Sequence, residues 1–230
     1  MTQKISNDVS ILNKVQIYLD TLPKVIRGTF RGSFFKKRAG LTFIGSHVKL
    51  MNSQNIVVGK NVKFESYSEI QGLASTPTIF GDNVTIRRNV QIRPSSYYGV
   101  GHIGEGLEIG ENSSIGPNGF VGSAGKISIG KQVMIGPNVT IIAENHNFQS
   151  KTVSIKEQGV MQKGITIDDN VWIGANVTIL DGVHIQSGVV IGANTLVTKN
   201  VSKDTIIFNH VSRIEKTRYS EKMKGIHINA

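Results

Sequence analysis

From Ile167 onward an aliphatic residue returns at every sixth position: Ile167, Ile173, Ile179, Ile185, Ile191 and Val197. A second small or branched residue follows each by four, at Val171, Val177, Val183, Val189, Thr195 and Val201. Gly, Asn, Asp and Ser fill the positions between, as in IGAN at 173–176 and again at 191–194. The same beat runs through Ile129, Ile135 and Ile141, with Val133 and Val139 as their partners. A period of six matches neither the 3.6 of a helix nor the 2 of a free strand, so it reads as an internal repeat. Each hexad is a short strand ended by a turn whose Gly and Asn tolerate positive φ. Three hexads, about 18 residues, close one triangular coil around a narrow aliphatic stack. Burial is worth about 1.5–3 kcal/mol per side chain, so coils are stable only when stacked.

Weaker repeats begin near Ile44 and pass through Val58, Phe64, Ile70, Phe80, Ile86 and Ile92, then resume at Ile109, Ile115 and Val121. The expected architecture is an all-β solenoid of about seven coils spanning 44–202. The beat breaks near 93–107 and 147–166. A stacked core accepts extra residues only at its corners, so both segments are expected to project as loops, where function tends to reside. Residues 1–43 form an N-terminal helical and basic cap. A helix is predicted over 8–27, started by Ser6 or Asn7, with Ile11, Leu12, Val15, Tyr18, Leu19, Leu22, Val25 and Ile26 at helical spacing. Pro23 predicts a kink or an end near residue 22. Residues 203–230 are a polar, basic C-terminal tail, opening with a terminal strand or helix that closes the last coil.

Charge adds a second pattern. Residues 1–40 hold eight Lys or Arg against two acidic residues, 199–230 hold seven against three, and 41–198 hold eleven of each. The overall +10 therefore sits on the ends, not on the solenoid. A nucleic-acid reader concentrates charge and aromatics on its main surface, so no nucleic-acid partner is expected. Basic ends suit anionic phosphates, an anionic polymer or a membrane surface. The basic, aromatic segment 27–38 has two readings: a cap on the open first coil, or a peripheral membrane contact. The absence of Cys removes disulfides, thiolate metal sites and cysteine nucleophiles. It suits a reducing cytoplasm, as does the lack of a signal peptide or a run of 18 apolar residues. The expected location is cytoplasmic, at the inner face of the membrane if the basic segment meets lipid.

The stretch from Asn145-His146 through VWIGANVTIL to GVVIGANTLVTKNV resembles the hexapeptide-repeat acyltransferases, within them the sugar and polysaccharide O-acetyltransferases. The resemblance covers 44–201 as fold and 129–201 as motif. It implies a left-handed parallel β-helix, a handedness that periodicity cannot supply. It also implies a homotrimer whose sites lie between subunits, with acetyl-CoA as acyl donor and a small-molecule or glycan acceptor.

His146 closes its hexad at the outward sixth position, at the base of the second loop. The resemblance makes it the catalytic base, and the chemistry needs one. A sugar hydroxyl is a poor nucleophile, and an imidazole can take its proton as it attacks a thioester. Without a Cys or a serine nucleophile elbow, direct transfer is favoured over an acyl-enzyme. Asn145 stands beside the base, and Glu144 and Glu157 are alternative orienting carboxylates. Trp172, the only Trp, is implied to line the active-site wall. Ala175 and Ala193 are implied to meet the pantetheine arm through their backbone, and Thr198 and Lys199 to lie near the adenosine and its phosphate. Arg213 and Lys216 are further phosphate candidates.

Two departures bear on this. GANT at 192–195 stands where the family often has GAGS, and Asn209–Ser212 replaces a GxPA-type turn. No counterpart of the galactoside enzymes' acceptor residues lies around 111–121, so a galactoside acceptor is not implied. The six histidines form no HxxxH-like pair, and no metal site is expected. Two other functions stay open: N-acylation of a nucleotide-linked amino sugar or a xenobiotic, and a non-catalytic β-helix scaffold.

Overall fold

The computed structural model describes residues 6, 8–95 and 101–209. Three parallel sheets of seven, eight and seven strands form the faces of a triangular prism. Each sheet takes every third strand, so the chain visits the first, second and third faces in turn. Seven complete coils cover 37–51, 56–71, 78–93, 107–122, 127–142, 165–179 and 184–197. The last strand among the described residues, at Ile206–Ile207, adds to the second face. The hexads led us to expect a parallel β-solenoid and the resemblance a left-handed one, and the fold is that left-handed parallel β-helix. It begins earlier than the repeat indicates, because Lys37–Arg38 already pairs in register with Val57–Val58.

The inward positions are the hexad aliphatics. Ile135, Ile141, Ile173, Ile179 and Ile191 are all buried, each stacked on its counterpart one coil away. The turns explain the residues between them. Asn61, Asn83 and Asn112 at the first-to-second corner, and Asn89, Asn118, Asn138, Asn176 and Asn194 at the second-to-third, all take left-handed φ near 60°. Asn pays least among non-glycine residues for that conformation. Here its side chain also bonds the next rung, as in Asn89 to Asn118 at 3.0 Å and Asn176 to Asn194 at 3.1 Å. Glycine precedes these turns where coils touch backbone to backbone: a Cβ on Gly174 would stand 2.7 Å from the Ala193 amide nitrogen.

Both breaks in the beat leave from the same corner, between the third and first faces. One runs from Arg93 to Leu107, and the other from Ile142 to Ile165.

The helix, α1, spans Ile11–Arg31, with the Ser10 side chain accepting from the Asn13 amide at 3.3 Å. It starts later and ends later than predicted and runs through Pro23, so no end falls near residue 22. The ring costs one bond to the Leu19 carbonyl, but both residues face water, which takes that bond over. Anchoring comes from the other side. Arg27 Nε donates to the Ile44 carbonyl at 2.8 Å, Arg31 Nη1 to the Val48 carbonyl at 2.7 Å, and Lys24 Nζ pairs with Glu65 at 3.0 Å. Gly28 is buried with its Cα against the Thr42 carbonyl, a closeness no side chain would allow. The basic side of α1 therefore caps the open carbonyls of the first coil, and burial lowers the pKa of Arg31 below its ordinary value. No described helix is long and apolar enough to cross a membrane.

Candidate active site

The third-to-first corner between coils three and six gathers both loops, and His146 lies there. After the strand Thr140–Ile142, Ala143 keeps the solenoid register, its amide donating to the Gly122 carbonyl at 3.0 Å. The chain then leaves the prism as a hairpin in which Asn145–His146 pairs antiparallel with Val160–Met161. His146 thus sits on the first limb of a hairpin, lifted off the corner, and its side chain is exposed. Asn147 closes the hairpin through its amide to the Gly159 carbonyl at 3.0 Å and its side chain to the Gln158 carbonyl at 3.1 Å. Gln158 in turn ties Ser150 and Val153, so the loop holds a built shape.

The two carboxylates part company. Glu144 accepts from Ser95 Oγ at 3.4 Å, joining the second loop to the base of the first. Glu157 accepts from Ser154 Oγ at 2.8 Å and shapes a turn within its own loop. Among the described residues neither hydrogen-bonds the His146 ring. Sequence reasoning missed Ser95, and it also missed Glu69. That side chain, mostly buried on the outer third face, pairs with Arg93 Nη2 at 2.8 Å beneath the first loop. Only the register that sets Glu69 beside Gln91 brings the two together, so no local motif announces the pair.

The remaining site residues lie elsewhere on the prism. Trp172 projects from the second face, 54% exposed, in a column with Met134, Val190 and Ile206. Ala175 and Ala193 occupy stacked turns at the second-to-third corner, where the Asn194 amide meets the Ala175 carbonyl at 2.8 Å. Thr198 and Lys199 are exposed at the third-to-first corner, the edge from which the His146 hairpin leaves two coils earlier. The third face therefore lies between the two groups, with Phe120, Thr140, Thr178 and Leu196 as its outward row. Arg213 and Lys216 lie outside the described residues. Within one chain, His146 and Trp172 belong to different sides of the prism. Among the described residues, no three His, Asp or Glu side chains converge as a metal-ligand set.

For an acyl-CoA the chemistry of these residues fits. The Ala175 and Ala193 turns carry small side chains that leave room beside the backbone, and Lys199 is an exposed ammonium with no ion-pair partner among the described residues, suited to phosphate.

Residues 164–199 match the family model described as bacterial transferase hexapeptide (six repeats). A galactoside O-acetyltransferase from Lactococcus lactis is 38% identical over 73 residues, 31% of this chain and 34% of that protein. The bifunctional protein GlmU of Acinetobacter baylyi is 27% identical over 167 residues, 72% of this chain and 34% of its own. The chain thus spans about a third of the length of these curated relatives. The crystal structure of AntD, an N-acyltransferase from Bacillus cereus in complex with dTDP and 3-hydroxybutyryl-CoA, superposes with a TM-score of 0.51 at 20% identity. It covers 83% of this chain and 87% of that one, a likeness of fold.

Proposed function

We propose that this hexapeptide-repeat protein is an acyltransferase that moves an acetyl group from acetyl-CoA to a hydroxyl of a sugar or surface-polysaccharide unit, with His146 as general base. The observation that carries the reading is the exposed imidazole on a shaped hairpin, beside the corner where both loops converge. The galactoside O-acetyltransferase that shares the motif region supports O-transfer.

In the reaction, a ring nitrogen of His146 takes the acceptor hydroxyl proton while the oxygen attacks the thioester carbonyl. The new C–O bond forms, the C–S bond breaks, and the leaving sulfur recovers the proton from the imidazolium. In this reading Asn145 and the backbone of the hairpin hold the acceptor, while Lys199 and Thr198 hold the donor's phosphate end. Glu144, two residues before His146 and tethered to Ser95, orients the base in this reading, while Glu157 shapes its own loop through Ser154.

The site is proposed to be completed by a second copy in a homotrimer. Trp172 with Met134 on the second face, and Phe148 and Ile155 on the loop, are large apolar side chains in contact with water. Joining the second face of one copy to the hairpin corner of the next would cover both sets and bring Trp172 to His146.

An N-acyltransferase acting on a nucleotide-linked amino sugar is the second reading, favoured by the likeness of fold to AntD. One assay separates them. Incubation with acetyl-CoA and a panel of sugar acceptors is expected to release free thiol, and the acetylated product to lose its acetyl group in mild alkali. A product stable to alkali assigns the amide-forming reading. Thiol release that no acceptor accelerates favours the scaffold.

A further inference from the structure

The helix that caps the prism is turned with its charged side inward. Arg27 and Arg31 hold the first coil and Lys24 the second, and the opposite side carries Ile11, Leu12, Val15, Tyr18, Leu19, Leu22, Ile26 and Phe30 into water. Leu12 is 81% and Phe30 72% exposed, values for side chains touching almost nothing. Phe34, just past the helix, extends the stripe in an edge-on contact with Phe30 at 6.1 Å between centroids. Over 21 residues the stripe runs about 30 Å. A soluble helix normally buries such a stripe against its own body. Here the body takes the polar side, so the apolar side belongs to something else.

The charge around it says what. Lys14 borders the stripe, and the exposed Lys36 and Lys37 follow Phe34. Asp20, the helix's one acidic residue, falls on the far side at about 100° per residue. With a net +6 over residues 1–40, a second copy would bring like charge to the same place, whereas an anionic surface meets complementary charge. A stripe of this length, basic at its borders and too polar overall to span, has the form of a helix lying in a membrane interface. We infer that the outward side of α1 docks on an anionic lipid bilayer, Leu19, Leu22, Ile26 and Phe30 entering the interface and Lys14, Lys36 and Lys37 meeting the headgroups. This is independent of the acyl-transfer reading, since no residue of the proposed site takes part.

Sedimentation of the full chain with vesicles tests it. Binding to phosphatidylcholine vesicles containing roughly one third phosphatidylglycerol is expected to exceed binding to phosphatidylcholine alone about tenfold or more, and to weaken as salt is raised. Leu19→Glu/Leu22→Glu is expected to lower that binding at least about tenfold, with circular dichroism and oligomeric state unchanged, because both side chains already face water. Lys36→Glu/Lys37→Glu is expected to remove the preference for anionic vesicles. No binding to either vesicle would overturn the inference, and so would equal binding to both. A change of oligomeric state in Leu19→Glu/Leu22→Glu with vesicle binding retained would make the stripe a subunit interface instead.

Discussion

His146→Ala is expected to lower acetyl transfer about 10²–10⁴-fold while leaving acetyl-CoA binding within about twofold, because a positioned general base contributes on that order to a proton-transfer step. The split between turnover and binding carries the information. His146 is exposed on a hairpin and supports no core side chain, so its loss should not unfold the loop, whose shape rests on Asn147 and Gln158. Turnover by free-thiol release and donor affinity by calorimetry, measured on the same preparation, separate the two effects. Turnover within about threefold of the parent would remove His146 from the mechanism and leave the corner without a base.

The second large effect lies in the core. Ile141→Ala is expected to cost about 2–5 kcal/mol in urea unfolding, the range for deleting a fully buried aliphatic side chain that its surroundings cannot refill. Ile141 is 0% exposed and is stacked in register between Val121 and Ile179. Both neighbours are held by their own coils, so neither can move into the gap. A solenoid adds a second consequence. Each coil touches only its neighbours, so a weak rung divides the stack and the transition should broaden. Thr140→Ala, one residue away but pointing outward, is the control and is expected to stay within about 0.5 kcal/mol.

These two residues also mark what the sequence could and could not disclose. Ile141 was legible because its burial follows from a six-residue period that repeats until chance is no explanation. Loop positions were legible for the same reason: a break in the beat can only leave at a corner. That both breaks leave from one corner follows from counting strands in threes, a step that needs the exact coil boundaries. The first strand was missed because Lys37–Arg38 offers two exposed basic side chains where the pattern looks for an aliphatic beat. Spacing gave the apolar stripe of α1 correctly but says nothing about which side docks. That choice depends on Ile44 and Val48 presenting unpaired carbonyls at an open sheet edge, which guanidinium groups satisfy and aliphatic side chains cannot. Contacts such as Ser95 with Glu144 join residues 49 apart in the chain, with no local pattern to announce them.

The central claim is that catalysis uses His146 of one copy and Trp172 of the next, and a subunit-mixing experiment addresses it most directly. Chains bearing His146→Ala and Trp172→Ala, each nearly inactive alone, are co-expressed with different tags and purified through both. In a closed ring of three with head-to-tail contacts, every mixed trimer contains one junction where a native His146 meets a native Trp172, so about one third of parental activity should return. Mixed trimers no more active than the single variants would place both residues in a site belonging to one chain, or in none, and would contradict the account.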